Sequence, residues 1–434
     1  MLEKLVSYEI IESMLKRKIM QKLEDWKKEP VRKSIIVEGP QQIGKTFVLR
    51  TFAYEKYKQV IYFDFNQFPY MRHIFDQDID VDALILQISL LIPGARCVPY
   101  ETILLFEELE YCPNAVNALI KFSSDNRYDA IGTRTILSTH NNPCEVDVIR
   151  MHALDFEEFL WANNVSSLAI QELRNAFIQQ RAVSNDVHQY FMNMFKIYTY
   201  VGGMHKAVRM YVKSGSFESV QSTQHYVSDV YLGEIMYSIE LKKKAKILEI
   251  FHALPEQVRR GNKKFKYSEI SSSASYRTHW DSILSLYEFG WLFTIFKLDN
   301  LTWPFIEHHQ KGNFKLCVRD IGLLTSQLED ADLEFLKGPL RIKNNILLEN
   351  SVADVCVKRG FRMYYMEEGK STFFVLTRGN RRIGLCFDDS KTLRKMKNLV
   401  LLGQLDEVYD LIVEPTYKNK DGMHVPLYTL MFIE

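Results

Sequence analysis

The chain has 434 residues, 47% hydrophobic and 25% charged, with a formal net charge of +1. That length exceeds one ordinary core and predicts about two to four domains, while the near-zero charge excludes a whole-molecule basic field, so nucleic acid would have to be met by a local patch. Six scattered cysteines without a C-x-x-C pair exclude a disulfide framework and a zinc site, and point to reduced thiols in a cytoplasmic protein.

The N-terminus, Met1-Leu2-Glu3-Lys4-Leu5-Val6, lacks the long apolar core of a signal peptide. Residues 10–29 are rich in Lys and Glu and helical in pattern, ending at Pro30. A strand is predicted at 34–38, built on Ile35, Ile36 and Val37. It runs into Gly39-Pro40-Gln41-Gln42-Ile43-Gly44-Lys45-Thr46, a G-x-x-x-x-G-K-T loop, and Phe47, Val48, Leu49 and Phe52 then form the apolar face of a helix. Glycines at the first and sixth positions let the backbone curl until successive N–H groups face phosphate oxygens. Lys45 adds a cation for the outer phosphates, the Thr46 hydroxyl is a magnesium ligand, and the helix start adds its dipole. This pattern predicts a nucleotide site formed by Gly39 through Phe47.

Further strands are expected at 60–65, 102–106 and from 129 to 133, with helices at 83–91 and 115–122. Continuous apolar strands between helices indicate a parallel sheet covered on both faces. The run 83–92 is broken by Gln87 and Ser89 and stopped by Pro93, so it is too short to span a membrane. The strand at 102–106 leads into Glu107 and Glu108. A phosphate-binding loop needs an acid on a neighbouring strand for magnesium and a second carboxylate for the attacking water, which assigns Glu107 to the metal and Glu108 to catalysis as general base. Thr133 is the first candidate for a γ-phosphate sensor; the alternative register places the strand at Ile136-Leu137 and the sensor at Ser138 or Thr139.

Residues 160–238 are helical, broken at Gly202-Gly203 and Ser214-Gly215-Ser216. Two helices and a hairpin between 240 and 300 suggest a winged helix. Its basic residues Arg259, Arg260, Lys263, Lys264 and Lys266 are either a DNA contact or a solvated loop on a protein-binding module. The last hundred or so residues are α/β in pattern, with a helix at 346–357, strands at 362–366, 372–376 and 383–387, a turn at Lys420-Asp421-Gly422 and a final strand at 427–433.

The chain resembles the prokaryotic AAA-type ATPases that carry a C-terminal domain of unknown function. The resemblance rests on the loop, on Phe106-Glu107-Glu108, on Leu154-Asp155-Phe156-Glu157-Glu158, on Gly202-Gly203-Met204, on Asn262-Lys263-Lys264-Phe265-Lys266-Tyr267 and on Asp320-Ile321-Gly322-Leu323-Leu324. It implies an ATPase domain at 1–160, a helical connector at 161–238, a winged helix at 239–334 and a restriction-endonuclease-like domain at 335–434. Asp155 with Glu158 also reads as a helix capping box, hence structural. The chain departs from the family at Gln41 and Gln42, where Arg is usual, at Glu107, where Asp is usual, and at Arg134 and Thr135. In the terminal domain, Phe373, Cys386 and Asp388 stand where nuclease chemistry needs Asp and Glu-x-Lys, and only Glu349 remains of the acids.

The reading that follows is an ATP- and Mg²⁺-binding protein that hydrolyses slowly and acts as a nucleotide-dependent switch. The alternatives are a non-hydrolysing ATP-bound interaction protein and a DNA-binding regulator. Expected partners are the nucleotide, a protein or a second copy of the chain, or DNA through the winged helix, with no membrane. Arg134 and Arg150 are candidates only for an arginine acting across subunits, and each is more readily read as an ordinary surface or packing residue.

Overall fold

A computed structural model describes residues 15–135, 144–261, 264–328, 338, 340, 345–369, 371–415, 417–419 and 422–434. The alternative sensor register at 136–139, the basic Lys263, the expected boundary at 334, residues 10–14 and the turn at 420–421 lie outside them. The chain divides into two compact units, residues 1–152 with 288–290, and the remainder.

The first unit is built on a five-stranded sheet in the order β2-β3-β4-β1-β5, with every pairing parallel. The strands are β1 (Ser34–Glu38), β2 (Gln59–Asp64), β3 (Thr102–Glu107), β4 (Asp129–Arg134) and β5 (Val146–Arg150). The inner strands β1 and β3 are buried along their whole length, as continuous apolar runs require, whereas the edge strands β2 and β5 are only partly covered. Helices Lys45–Lys56, Val81–Leu91 and Ala115–Asp125 make the crossovers. Stacked rings of Phe63, Phe65 and Phe106, with Phe75 edge-on to all three, fill the core beneath the end of β3. Parallel connections bring the C-terminal ends of β1, β3 and β4 to one edge of the sheet, where ligands of open α/β sheets bind.

The second unit opens with the capping box expected at Asp155 and Glu158, each side chain bonding the other's backbone N–H (2.9 and 3.1 Å). Helices Ser167–Ile178, Asn185–Val201, His205–Ser214 and Phe217–Ser238 follow, interrupted at the expected glycines. Helices Leu241–Arg259 and Tyr276–Glu288 lead into an antiparallel hairpin of β6 (Leu292–Leu298) and β7 (His309–Val318). This hairpin is part of an eight-stranded mixed sheet, because β6 pairs in parallel with β8 (Arg362–Glu368). Strands β9 (Ser371–Arg378), β10 (Arg381–Phe387), β11 (Glu407–Ile412), β13 (Gly422–Pro426) and β12 (Tyr417–Asn419) complete it.

The final strand expected at 427–433 is instead a 3₁₀ helix, Leu427–Phe432, which starts directly after Pro426 and is buried throughout. An unalternating apolar run has the same appearance in either conformation. Several described elements escaped the sequence pattern, among them β5, whose Asp147 and Arg150 interrupt it, β7, which lies beyond the 240–300 region expected to hold the hairpin, helices Ile321–Thr325 and Ser390–Leu401, and strands β11, β12 and β13.

Candidate nucleotide-binding site

The loop leaves β1 at a place where its first residue has no room for a side chain. A Cβ on Gly39 would lie 2.3 Å from the Met151 carbonyl oxygen, because β5 exits alongside and Met151 N–H donates to the Glu38 carbonyl (2.8 Å). Gly44 has φ +92°, the left-handed turn that delivers the chain into helix Lys45–Lys56, and Gln42 is left-handed as well (φ +61°). Lys45 is only 6% exposed; its ammonium folds onto the loop and donates to the carbonyls of Gly39 (2.7 Å) and Pro40 (2.9 Å). It also reaches the Thr135 hydroxyl at 3.4 Å. A cation in this position lies among the backbone groups that phosphate oxygens would meet. Phe47 is half-buried in the first turn of the helix.

Beside the loop, the Thr46 hydroxyl donates to Glu107 Oε1. Glu107 closes β3 and is buried; desolvation raises its pKa, opposed by the Thr46 hydrogen bond, the Lys45 charge and Thr133. Glu107 thus meets the Thr46 hydroxyl directly, without an intervening group. The pair supplies two hard oxygen donors in contact, the donor type that magnesium takes from a protein when phosphates and water complete its shell. Tyr62, on the adjacent β2, has its hydroxyl pKa raised by burial and by Glu107 and Asp64.

Glu108 takes a left-handed backbone (φ +57°, ψ +64°), costly for a residue with a side chain. Its N–H donates to the Thr133 hydroxyl (2.9 Å), and Gln41 from the loop donates to its Oε1 (3.3 Å). Glu108 Oε2 is buried and has no hydrogen-bond partner among the described residues. A buried acceptor oxygen without a donor among the described residues has the capacity to hold a water.

Of the residues expected at the site, Gly39 to Thr46, Glu107, Glu108 and Thr133 converge on one end of the sheet. Thr133 meets Glu108, whereas Thr135, two residues on, meets Lys45. Arg134 and Arg150 both flank Glu38, to which each is paired in strand register. Arg134 is hydrogen-bonded to its fully buried carboxylate, and Arg150 lies 3.6 Å away. A carboxylate buried at the end of β1 thus has a cation on either side of it within the chain. Sequence pattern could not reveal this, since Glu38 is just the residue before the loop. Glu110 was also missed; it accepts from Thr135 N–H and so ties the loop after β3 to the end of β4.

In the second unit, three basic residues of the 259–266 segment, Arg259, Arg260 and Lys266, are paired within the chain. Arg259 and Arg260 pair with Glu256 (2.6 and 2.7 Å), and Lys266 with Glu269 (3.1 Å). No helix among the described residues is long and apolar enough to cross a membrane.

Residues 31–160 match a family described as an AAA domain, and residues 192–334 match a domain of unknown function, DUF8612. No curated protein matches the chain. Among solved structures, it is similar to the Walker-type ATPase PABY2304 of Pyrococcus abyssi, with 12% identity, a TM-score of 0.41 and coverage of 73% of this chain and 96% of that one. It is also similar to the Aeropyrum pernix ORC1 protein in complex with DNA, with 12% identity, a TM-score of 0.30 and coverage of 77% and 91%. A third similarity is to the Thermotoga maritima RuvB Holliday junction branch migration motor, with 12% identity, a TM-score of 0.28 and coverage of 64% and 89%.

Proposed function

From an AAA-type P-loop domain at residues 31–160, we propose that the chain binds ATP with Mg²⁺, hydrolyses it slowly and acts as a nucleotide-dependent switch. The observation that carries this reading is the contact of Thr46 with Glu107 beside a Lys45 folded into the loop. In this reading the backbone from Gly39 to Thr46 receives the phosphates, and Lys45 exchanges the Gly39 and Pro40 carbonyls for phosphate oxygens. Thr46 and Glu107 would hold magnesium, which would supply positive charge against the negative charge on the phosphate oxygens. Glu108 Oε2 accepts a hydrogen bond from the attacking water and orients it. Slow turnover is supported by the Gln41–Glu108 hydrogen bond, which competes for the same carboxylate, and by the use of Glu at 107.

Lys45→Ala removes the point charge and should abolish the stabilisation by ATP·Mg, which at a hundredfold excess over Kd amounts to about 2.7 kcal/mol. Thermal melts with and without ATP·Mg check this. Steady-state phosphate release should be measurable in wild type and lower in Glu108→Gln. Equal rates would leave ATP as a structural ligand only.

We further propose that the β8–β10 region is a restriction-endonuclease-like scaffold without nuclease chemistry, attached to a winged-helix module. Phe373 is 1% exposed inside an apolar cluster with Val375 and Cys386, and Glu349 is paired with Lys315 (2.7 Å). A hard cation gains nothing from a buried ring and a thiol. The intact chain should leave plasmid DNA uncut with magnesium or manganese; cleavage lost in Glu349→Ala would reverse this reading.

A further inference from the structure

Arg17 is an arginine in a run of cations, Lys16-Arg17-Lys18, with nothing in its spacing to mark it. Yet it is 4% exposed. It sits in extended conformation just ahead of helix Lys18–Lys28, which is anchored on the loop helix by Trp26 against Phe52 (6.3 Å) and on the residue before β1 by Trp26 Nε1 donating to the Lys33 carbonyl (2.8 Å). From there the two arms of the guanidinium fork diverge. Nη1 donates to the Ile43 carbonyl (3.0 Å) and Nη2 to the His152 carbonyl (2.6 Å). One side chain therefore joins the tip of the phosphate-binding loop to the segment leaving β5, whose Met151 already packs on Gly39.

The Ile43 carbonyl belongs to the peptide unit that ends at Gly44 N–H. A trans peptide is planar, so its C=O and N–H point in opposite directions. A guanidinium holding the Ile43 oxygen on one side therefore holds the Gly44 N–H on the other. Loops of this type recognise phosphate by turning successive N–H groups inward. The neighbouring Gly44, being glycine in a left-handed turn, would otherwise leave this peptide the freest in the loop.

We propose that Arg17 is a positioning residue for nucleotide binding: it presets the Ile43–Gly44 peptide so that the empty loop already presents its N–H groups to a triphosphate. This rests on the ATP-binding reading above. Arg17 does not touch the nucleotide; it removes the reorganisation that binding would otherwise require.

The test measures ATP·Mg affinity and the melting temperature without ligand in the full chain, for wild type, Lys45→Ala, Arg17→Ala, Arg17→Lys and Arg32→Ala. Arg32 is a control of the same chemistry at the opposite end of the sheet, paired with Asp129 at the start of β4 (2.9 Å). Arg17→Ala should weaken binding by about tenfold or more, the scale of lost charge-assisted hydrogen bonds, with Arg17→Lys in between. Guanidinium at millimolar concentration should restore affinity to Arg17→Ala and not to Lys45→Ala. Arg32→Ala should melt lower yet bind within about twofold of wild type, as independent sites do. If wild type binds, Lys45→Ala does not, and Arg17→Ala binds like wild type, this inference alone is overturned. Should Arg17→Ala not fold, wild-type affinity in Arg17→Lys overturns it equally. A wild-type chain that gains no stability from ATP·Mg overturns both this inference and the ATP-binding reading.

Discussion

The Glu107 carboxyl is buried at the end of β3, and burial raises its pKa despite the Thr46 hydroxyl and Lys45. A carboxyl whose folded pKa lies above its unfolded value favours folding most below the unfolded value, about 4.3, and loses that contribution as pH rises through the folded value. At neutral pH the ionised, buried group is therefore a cost to the empty protein. Glu107→Gln should raise the unliganded melting temperature at neutral pH, and this gain should vanish as pH falls below the ordinary carboxylate range. In the proposed magnesium site the cation would be held by the ionised form, so in wild type the affinity for ATP·Mg should fall as pH is lowered through the raised pKa, and Glu107→Gln should flatten that dependence. Melting curves across a pH series, with and without ATP·Mg, check both.

At the scale of elements, the break between helices Asn185–Val201 and His205–Ser214 is set by close approach. Gly203 N–H donates to Asp320 Oδ2 (2.8 Å), and the Gly203 carbonyl accepts from Leu154 N–H (2.8 Å). A Cβ on Gly203 would lie 2.0 Å from the Leu154 carbonyl oxygen, a backbone atom that cannot swing aside. Gly203→Ala should cost about 3 kcal/mol, the upper end of the overpacking range, measured by urea unfolding. This explains why Leu154-Asp155, Gly202-Gly203 and Asp320-Ile321-Gly322 stand out together in the sequence. They are remote along the chain and form one joint. The resemblance marked these segments, but no periodicity could say that they touch.

Across the second unit as a whole, that joint is closed by a buried ion cluster. Lys358 is nearly inaccessible and donates to Asp354 Oδ2 (2.7 Å), Tyr198 Oη (3.0 Å), Asp320 Oδ2 (3.1 Å) and the Leu154 carbonyl (3.3 Å). Burial disfavours its charge, but Asp354, Tyr198 and Asp320 together outweigh this and raise its pKa well above the usual value. Lys358→Met leaves two buried carboxylates without their cation and should destabilise the chain by about 3–5 kcal/mol. Replacing Asp354 as well, by Leu, should recover part of that loss, as a double-mutant cycle on unfolding free energies would record.

The sequence by itself determined the parts of this protein whose chemistry is local. The run from Ser34 to Thr46 specifies strand, loop and helix through residues adjacent in the chain, and Glu107 and Glu108 follow from a strand whose apolar continuity is visible without a partner. The central strands were legible because both faces are buried, while β5 and β11 were not, since polar positions on partly covered strands weaken the apolar signal. Tertiary structure decided everything that depends on what lies opposite. It settled that Arg134 and Arg150 flank Glu38, that Thr135 rather than Thr133 meets Lys45, and that Arg17 grips the loop tip. It also joined the β6–β7 hairpin to the terminal strands in one sheet and turned the apolar run after Pro426 into a 3₁₀ helix. A hydrogen bond or an ion pair between residues a hundred positions apart leaves no periodicity, so only the folded chain reveals it.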